Sequence, residues 1–443
     1  MTFTVLIIAL FIVGYLCIAL ESVFEINKAA IALLMCVGCW TLLMVGVQGF
    51  FPEVADGVGY VSERIQHHLG DAGETLFFLM GAMTIVEIVD SNGGFNFVRD
   101  AIKTRSKRKL MWRVAFMTFF LSAILDNLTT SIVMIMVLRK LVQSREERLI
   151  YAGLIIISAN SGGAFSPIGD VTTIMLWIKG VITTQGVLTE IFIPSLVSMV
   201  IPAIILSFQL KGKFDKEQNL KVTEVTTFTK TQRDVIFWLG VGGLVFVPIF
   251  KTITHLPPFM GILLVLGVLW TVTEIFHRMQ QTNEDDTMSK RVSDLLSRID
   301  LSTIMFFLGI LMAVAVLQEI GVLTTMGEGL NEAFAGNYYL INGIIGVLSS
   351  IVDNVPLVAG CMGMYPVSEV AGDAMAIDGV FWQLLAYCAG VGGSMLIIGS
   401  AAGVVVMGLE KISFGWYLKK MTWIAFVGYL AGIGCYWVEK LIY

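Results

Sequence analysis

Two short motifs place ionisable and amide side chains inside long apolar stretches. They are Asp126-Asn127, followed by Leu-Thr129-Thr130, and Asp353-Asn354, followed by Val-Pro. A carboxylate at the centre of a bilayer costs at least about 2.5–3.5 kcal/mol, so a functional role is its default reading. A third run, from Ser158 to Thr173, mixes Gly162, Gly163, Gly169 and Pro167 with the oxygen donors Asn160, Ser161, Ser166, Asp170, Thr172 and Thr173. The glycines and the proline interrupt a helix and free its carbonyls, which protein, ion or water must then satisfy. Carboxylate, amide, hydroxyl and freed carbonyl oxygens together suit a hard cation such as Na+. The Na+ ligands expected are Asp126, Asn127, Asn160, Asp170 and Thr173. A fourth run offers Gly390, Gly392, Gly393, Ser394, Gly399 and Ser400 but no counterpart of Asp170. The cation is therefore expected against the first half, with Asp353 serving protons or a second, weaker site.

A buried carboxylate keeps a proton or a cation but rarely both, and that competition is sufficient for antiport. Neither interrupted region contains Lys, Arg or His. An anionic substrate would want such a group or exposed helix N-termini, so the site reads as one for cations. The plainer alternative has Asp capping helices and Gly and Ser easing helix packing. Glu87 and Asp90, placed near the external end of the third span, and Glu319 in the ninth could carry protons or mark the membrane boundary. His67-His68 reads as a solvated face, with pH sensing as the alternative. Cys36-x-x-Cys39 has redox spacing but lies in an apolar helix with no His or Asp beside it, and reads as packing.

The elements that position these residues must be membrane helices. Of the 443 residues 56% are hydrophobic and 14% charged, against about 45–50% and about 25% in a soluble domain. No basic tract suggests nucleic acid. About 20 apolar helical residues cross the hydrocarbon core. Candidate spans are 2–20, 26–47, 75–91, 187–208, 234–252, 257–277, 302–320 and 413–437. The stretches 149–180 and 381–409 are broken by glycines, and 112–140 and 338–365 carry the Asp-Asn pairs.

Basic residues mark cytoplasmic loops. Arg99, Lys103, Arg105, Lys107, Arg108, Lys109 and Arg113 precede 112–140, and Arg139, Lys140, Arg145 and Arg148 follow it. Both ends are inside, so this segment reads as a re-entrant hairpin turning at Asp126-Asn127. Its arm from Trp112 to Leu125 reaches roughly 20 Å. Lys211, Lys213, Lys216, Lys221, Lys230 and Arg233 put the linker inside, as do Arg278, Lys290, Arg291 and Arg298 for 278–300, and the turn at 21–28 is assigned inside on Lys28. Between Ile299 and Glu410 there is no Lys or Arg, so 338–365 reads as a second hairpin entering from the outside. The loop at 48–74 and both termini are expected outside.

A shift of about 229 aligns the halves. Phe77-Phe78-Leu79 falls on Phe306-Phe307-Leu308, Met83 on Met312 and Asp90 on Glu319. With small slips Asp126-Asn127 falls on Asp353-Asn354, and Gly162, Gly163 and Gly169 on Gly392, Gly393 and Gly399. The fold expected is an all-α integral membrane protein of two inverted-topology repeats, 1–208 and 233–443, joined by a cytoplasmic linker at 209–232. Each repeat has five spans, one re-entrant hairpin and an interrupted helix at mid-membrane. Inverted repeats with broken helices are the architecture of secondary transporters, whereas a passive channel does not need them.

With Asp126-Asn-Leu-Thr-Thr, Ala159-Asn-Ser-Gly-Gly-Ala-Phe-Ser-Pro-Ile-Gly-Asp-Val-Thr-Thr and Asp353-Asn-Val-Pro, the chain resembles the NhaD-type sodium/proton antiporters of the ion transporter superfamily over essentially its whole length. The resemblance implies a non-enzymatic exchanger of Na+, and of Li+, against H+, without a cofactor. It implies that Asp126, Asn127, Asn160, Asp170, Thr172, Thr173, Asp353 and Asn354 match the family's ion-site motifs. It further implies a homodimer in a bacterial inner membrane, whose hairpins and broken helices move as an elevator. Ser161 and Phe165 depart from the pattern, where a small apolar residue and Trp are expected. The competing reading is a Na+-coupled anion symporter or arsenite-type exporter on the same scaffold.

Overall fold

The computed structural model describes residues 2–19, 26–95, 98, 101–102, 104–210, 212–214, 228–281, 295–297, 299–351, 353–370 and 372–442. Several sequence expectations fall outside these residues: the turn at 21–25, the topology markers Arg99, Lys103, Lys211, Lys216, Lys221, Lys290, Arg291 and Arg298, and the connector from Glu284.

Every named element is a helix. In the first half, α1 (Thr2–Ala19), α2 (Lys28–Val45) and α3 (Gly57–Ser91) lead to α4 (Lys107–Leu125), α5 (Asn127–Leu141), α6 (Arg145–Ala164), α7 (Val171–Ile178) and α8 (Phe192–Ser207). The second half runs α9 (Lys230–Thr254), α10 (Pro258–Gln281), α11 (Leu301–Glu319), α12 (Val322–Ala333), α13 (Tyr338–Ser349), α14 (Asn354–Met364), α15 (Val380–Gly392), α16 (Ala401–Glu410) and α17 (Thr422–Ile442). Among the described residues seven helical segments are long and apolar enough to cross a membrane, so the chain is a multi-pass integral membrane protein. Exposed Leu34, Val37, Trp238 and Ile253 face outward as such a protein requires.

Both Asp-Asn pairs stand at helix–turn–helix corners. Asp126 lies between α4 and α5 with φ +79, and Asp353 is the N-cap of α14. The Gly-rich runs are breaks, between α6 and α7 and between α15 and α16. In each half the first hairpin arm packs on the first part of the broken helix, α4 on α6 and α13 on α15. The contacts repeat atom for atom. Ser122 Oγ donates to Ala159 O at 2.6 Å, and Ser349 Oγ donates to Ala389 O at 2.8 Å. A Cβ on Gly162 would lie 2.1 Å from Phe119 O, and one on Gly392 2.2 Å from Gly346 O. Only glycine permits backbones this close. The second parts of the broken helices cross over, α7 packing on α14 and α16 on α5, which ties each half's hairpin to the other half.

Two expectations change. The stretch 48–74 is not a loop, because most of it extends α3, a helix of 35 residues capped by Asp56. Its polar residues hide it from a hydropathy scan, although nothing in them forbids a helix. Glu87 and Asp90 occupy the last two turns of α3, next to the basic stretch 99–113, so they lie at the basic end of that span rather than the external one.

The bundle has two chemically distinct ends. At one, Lys107 pairs with Glu147 at 2.5 Å, Arg108 Nε donates to Ser207 O, and Arg145 Nη2 donates to Lys411 O. At the other, Asp378 accepts from Thr183, Lys440 pairs with Glu190, and Lys179 pairs with Asp71.

Candidate functional site

Asp170 is the N-cap of α7, where the break after α6 resumes as helix, and it is 1% exposed. Its Oδ1 accepts from Thr172 N at 2.9 Å and Thr172 Oγ1 at 2.7 Å. The amides of both hairpin tips converge on the same carboxylate. Asn127 Nδ2 donates to Oδ2, and Asn354 Nδ2 reaches Oδ1 at 3.3 Å and Oδ2 at 3.5 Å. Asn127 Nδ2 also donates to Asn160 Oδ1, and Asn160 Nδ2 donates to Ser400 Oγ at 3.0 Å. One buried cluster thus draws on both hairpins and both breaks.

The depth of the cluster follows from helix lengths. From Asp170, the 8 residues of α7 run about 12 Å to Lys179 at one end of the bundle. From Ser400, the 10 residues of α16 run about 15 Å to Lys411 at the other. The cluster therefore lies near the middle of a core about 30 Å thick.

Each tip's aspartate turns elsewhere. Asp126 accepts from Thr129 N at 2.7 Å and Thr129 Oγ1 at 2.9 Å, and borders a small cavity with Phe78, Leu79, Ile168 and Leu244. It makes no hydrogen bond to the Asn127–Asp170 cluster. Asp353 accepts from Val355 N and forms an ion pair at 3.1 Å with Lys28 from the start of α2. The interrupted regions contain no basic residue of their own, but α2 delivers one to the second tip. An ammonium thus stands against the carboxylate expected to serve protons or a second, weaker site. Among the described residues no Lys, Arg or His pairs with Asp126 or Asp170.

The hydroxyls divide in the same way. Thr130 Oγ1 and Thr173 Oγ1 are buried with no hydrogen-bond partner among the described residues, which leaves them available as ligands. Ser161 accepts from Ser198 Oγ at 2.8 Å, on α8, outside the cluster. Ser394 Oγ donates to Val391 O, so it is satisfied within its own turn. Ser400 is the exception in the second break, through Asn160.

Glu87, Asp90 and Glu319 do not form one relay. Glu319 accepts from Arg64 Nε at 2.8 Å and His68 Nε2 at 2.7 Å. Glu87 accepts from Ser91 within α3, 23 residues beyond Arg64 and so about 35 Å further along that helix. His68 is buried rather than a solvated face. Sequence reasoning missed Lys28 and Arg64 as partners. The one available signal for Lys28 was a lone cation at the first residue of an apolar span, where a helix N-terminus disfavours it.

Apolar spanning helices around a buried carboxylate that no described Lys, Arg or His pairs with fit an integral membrane transporter. The family model described as a citrate transporter matches residues 8–382. The chain is 46% identical to sodium/proton antiporter 1 of Arabidopsis thaliana, over 96% of this chain and 71% of that protein. It is 30% identical to Na(+)/H(+) antiporter NhaD of Alkalimonas amylolytica, over 96% of this chain and 88% of the other, and 28% identical to NhaD of Vibrio cholerae over 96% and 89%. The chain belongs to this family, among the NhaD-type sodium/proton antiporters.

Proposed function

We propose that the protein exchanges cytoplasmic Na+, and Li+, for external H+ by competition at Asp170, assisted by Asp126. The observation that carries this reading is the convergence of Asn127 and Asn354 on a buried Asp170 that no cationic side chain among the described residues neutralises. The carboxylate then needs a proton or a small cation. Amide and hydroxyl oxygens from Asn127, Asn354, Thr130, Thr172 and Thr173 supply further ligands once the side chains turn. Asp353 keeps Lys28 as its fixed counter-charge, so the cycle uses carboxylates of the first half.

The citrate-transporter description of the family model raises the alternative of an anion substrate. Citrate carries up to three negative charges, and the cluster offers it no free cation, since Lys28 is matched by Asp353. Cation exchange is the better fit.

The same proposal takes residues 1–208 and 233–443 as inverted repeats joined by 209–232. It supposes that α4–α7 and α13–α16 move as an elevator against α1–α3 and α9–α11 in a homodimer. The membrane is taken as a bacterial inner membrane with both termini outside.

The test is an everted vesicle holding an imposed pH gradient. Addition of Na+ is expected to dissipate the gradient, and Asp170→Asn to abolish the response. Undiminished Na+-dependent dissipation in that variant removes Asp170 from the mechanism, and a response that requires a tricarboxylate sinks the antiporter reading.

A further inference from the structure

The vestibule beside α3 holds side chains that cation exchange does not use. A cavity of about 500 Å³ is lined by Arg64, His67, His68, Asp71, Glu74 and Lys179 among others. We propose that His67, His68 and Asp71 bind a divalent transition metal, of the Zn2+ or Co2+ class, at this mouth.

Three observations carry the assignment. One ligand atom from each of the three residues lies within 4.8 Å of the others. Tetrahedral ligation with bonds of about 2.1 Å needs ligand atoms about 3.4 Å apart. His67, with a side chain 58% exposed, has the freedom to close that gap. His67 and Asp71 are four residues apart on one helix face, already 3.7 Å from nitrogen to oxygen.

The second observation is His68. Its Nε2–H donates to Glu319 at 2.7 Å, which fixes the tautomer and leaves the Nδ1 lone pair for a metal. A carboxylate behind the ligating imidazole is the usual support of such a ligand. The third is access, since the cavity reaches these side chains and leaves room for the water that completes the coordination.

Lys179 is the built-in competitor, because its ammonium now pairs with Asp71. Metal binding displaces it. Lys179 caps the C-terminal end of α7, whose other end is Asp170, so the displaced residue adjoins a helix that bears the candidate ion ligand. The metal assignment itself does not depend on the transport reading.

Co2+ titration of the detergent-purified full-length protein, with Zn2+ as competitor, tests the site. The expected result is a visible Co2+ d–d spectrum without the thiolate charge-transfer band that the cysteines would give. His67→Ala and Asp71→Asn are expected to weaken binding by at least about tenfold, and Lys179→Met to tighten it. His67 is exposed, so its replacement leaves the fold intact. Absence of binding, a thiolate band, or an affinity indifferent to His67→Ala overturns the assignment. Weaker binding in Lys179→Met overturns it too.

Discussion

Lys28 Nζ stands 3.1 Å from Asp353 Oδ2, whereas Asp126 at the matching tip of the first half accepts from Thr129 and, among the described residues, meets no cationic side chain. Two identical dipeptides at equivalent corners therefore carry different counter-groups. Lys28 is the first residue of α2, where the helix dipole disfavours a cation by about 0.3–1 kcal/mol. Asp353 offsets this, together with the Phe306 ring 4.3 Å beneath the ammonium. The pair gives the second tip a fixed counter-charge that belongs to the protein, while no described Lys, Arg or His pairs with the first tip's acid.

Removing one partner should thus cost more than removing both. Lys28→Met is expected to lower thermal stability in detergent, and Asp353→Asn alone to do likewise. The double variant is expected to recover part of the loss, with a coupling of about 1–3 kcal/mol. Strict additivity in the cycle would mean that the ion pair holds nothing.

Asp170 is bound by amides from two tips, and each amide can be removed singly. Asn354→Ala and Asn127→Ala each delete a hydrogen bond to a charged acceptor, worth about 1.5–3 kcal/mol. The apparent Na+ affinity in vesicles is expected to fall about tenfold or more in each. Asn342→Ala on α13, whose amide donates to Phe381 O away from the cluster, is the control and is expected to leave it unchanged.

The corners and breaks were legible in the sequence because Asp, Gly and Pro stand out in apolar surroundings. The partners were not. Lys28 meets Asp353 across 325 residues, Asn354 meets Asp170 across 184, and Asn160 meets Ser400 across 240. No local pattern encodes such pairs. Shifting one half onto the other aligned Asp126 with Asp353 but could not reveal that α2 neutralises only the second. The polar extension of α3 hid the contacts of His68 and Arg64 with Glu319 for a different reason, since a charged helix has the composition of a loop.

Glu410 was not singled out by its sequence, yet its carboxylate is fully buried, with Arg139 Nε and Arg148 Nε each at 2.6 Å. Arg139 ends α5 and Arg148 begins α6, so the acid at the end of α16 clamps the first half's hairpin to the second half's broken helix. Both arginines remain partly exposed, which screens what is lost. Glu410→Ala is expected to destabilise by about 1–3 kcal/mol, read as a lower melting temperature, with the clamp variant Glu410→Gln intermediate.

Gly162 and Gly392 test whether the two close approaches are equally tight. A Cβ at either would overlap a carbonyl of the neighbouring hairpin arm, Phe119 O or Gly346 O. A carbonyl cannot rotate away as a side-chain end can, so α4 or α13 must shift. Overpacking of this kind costs about 1–3 kcal/mol. Gly162→Ala displaces α4 beside the Asn127–Asp170 cluster, and is expected to lower both melting temperature and Na+ affinity. Gly408→Ala, on the same helix as Ser400 but with open space around its Cα, should change neither. If Gly162→Ala behaves like Gly408→Ala, the close approach of α4 and α6 does not hold in the membrane, and the geometry around Asp170 needs revision.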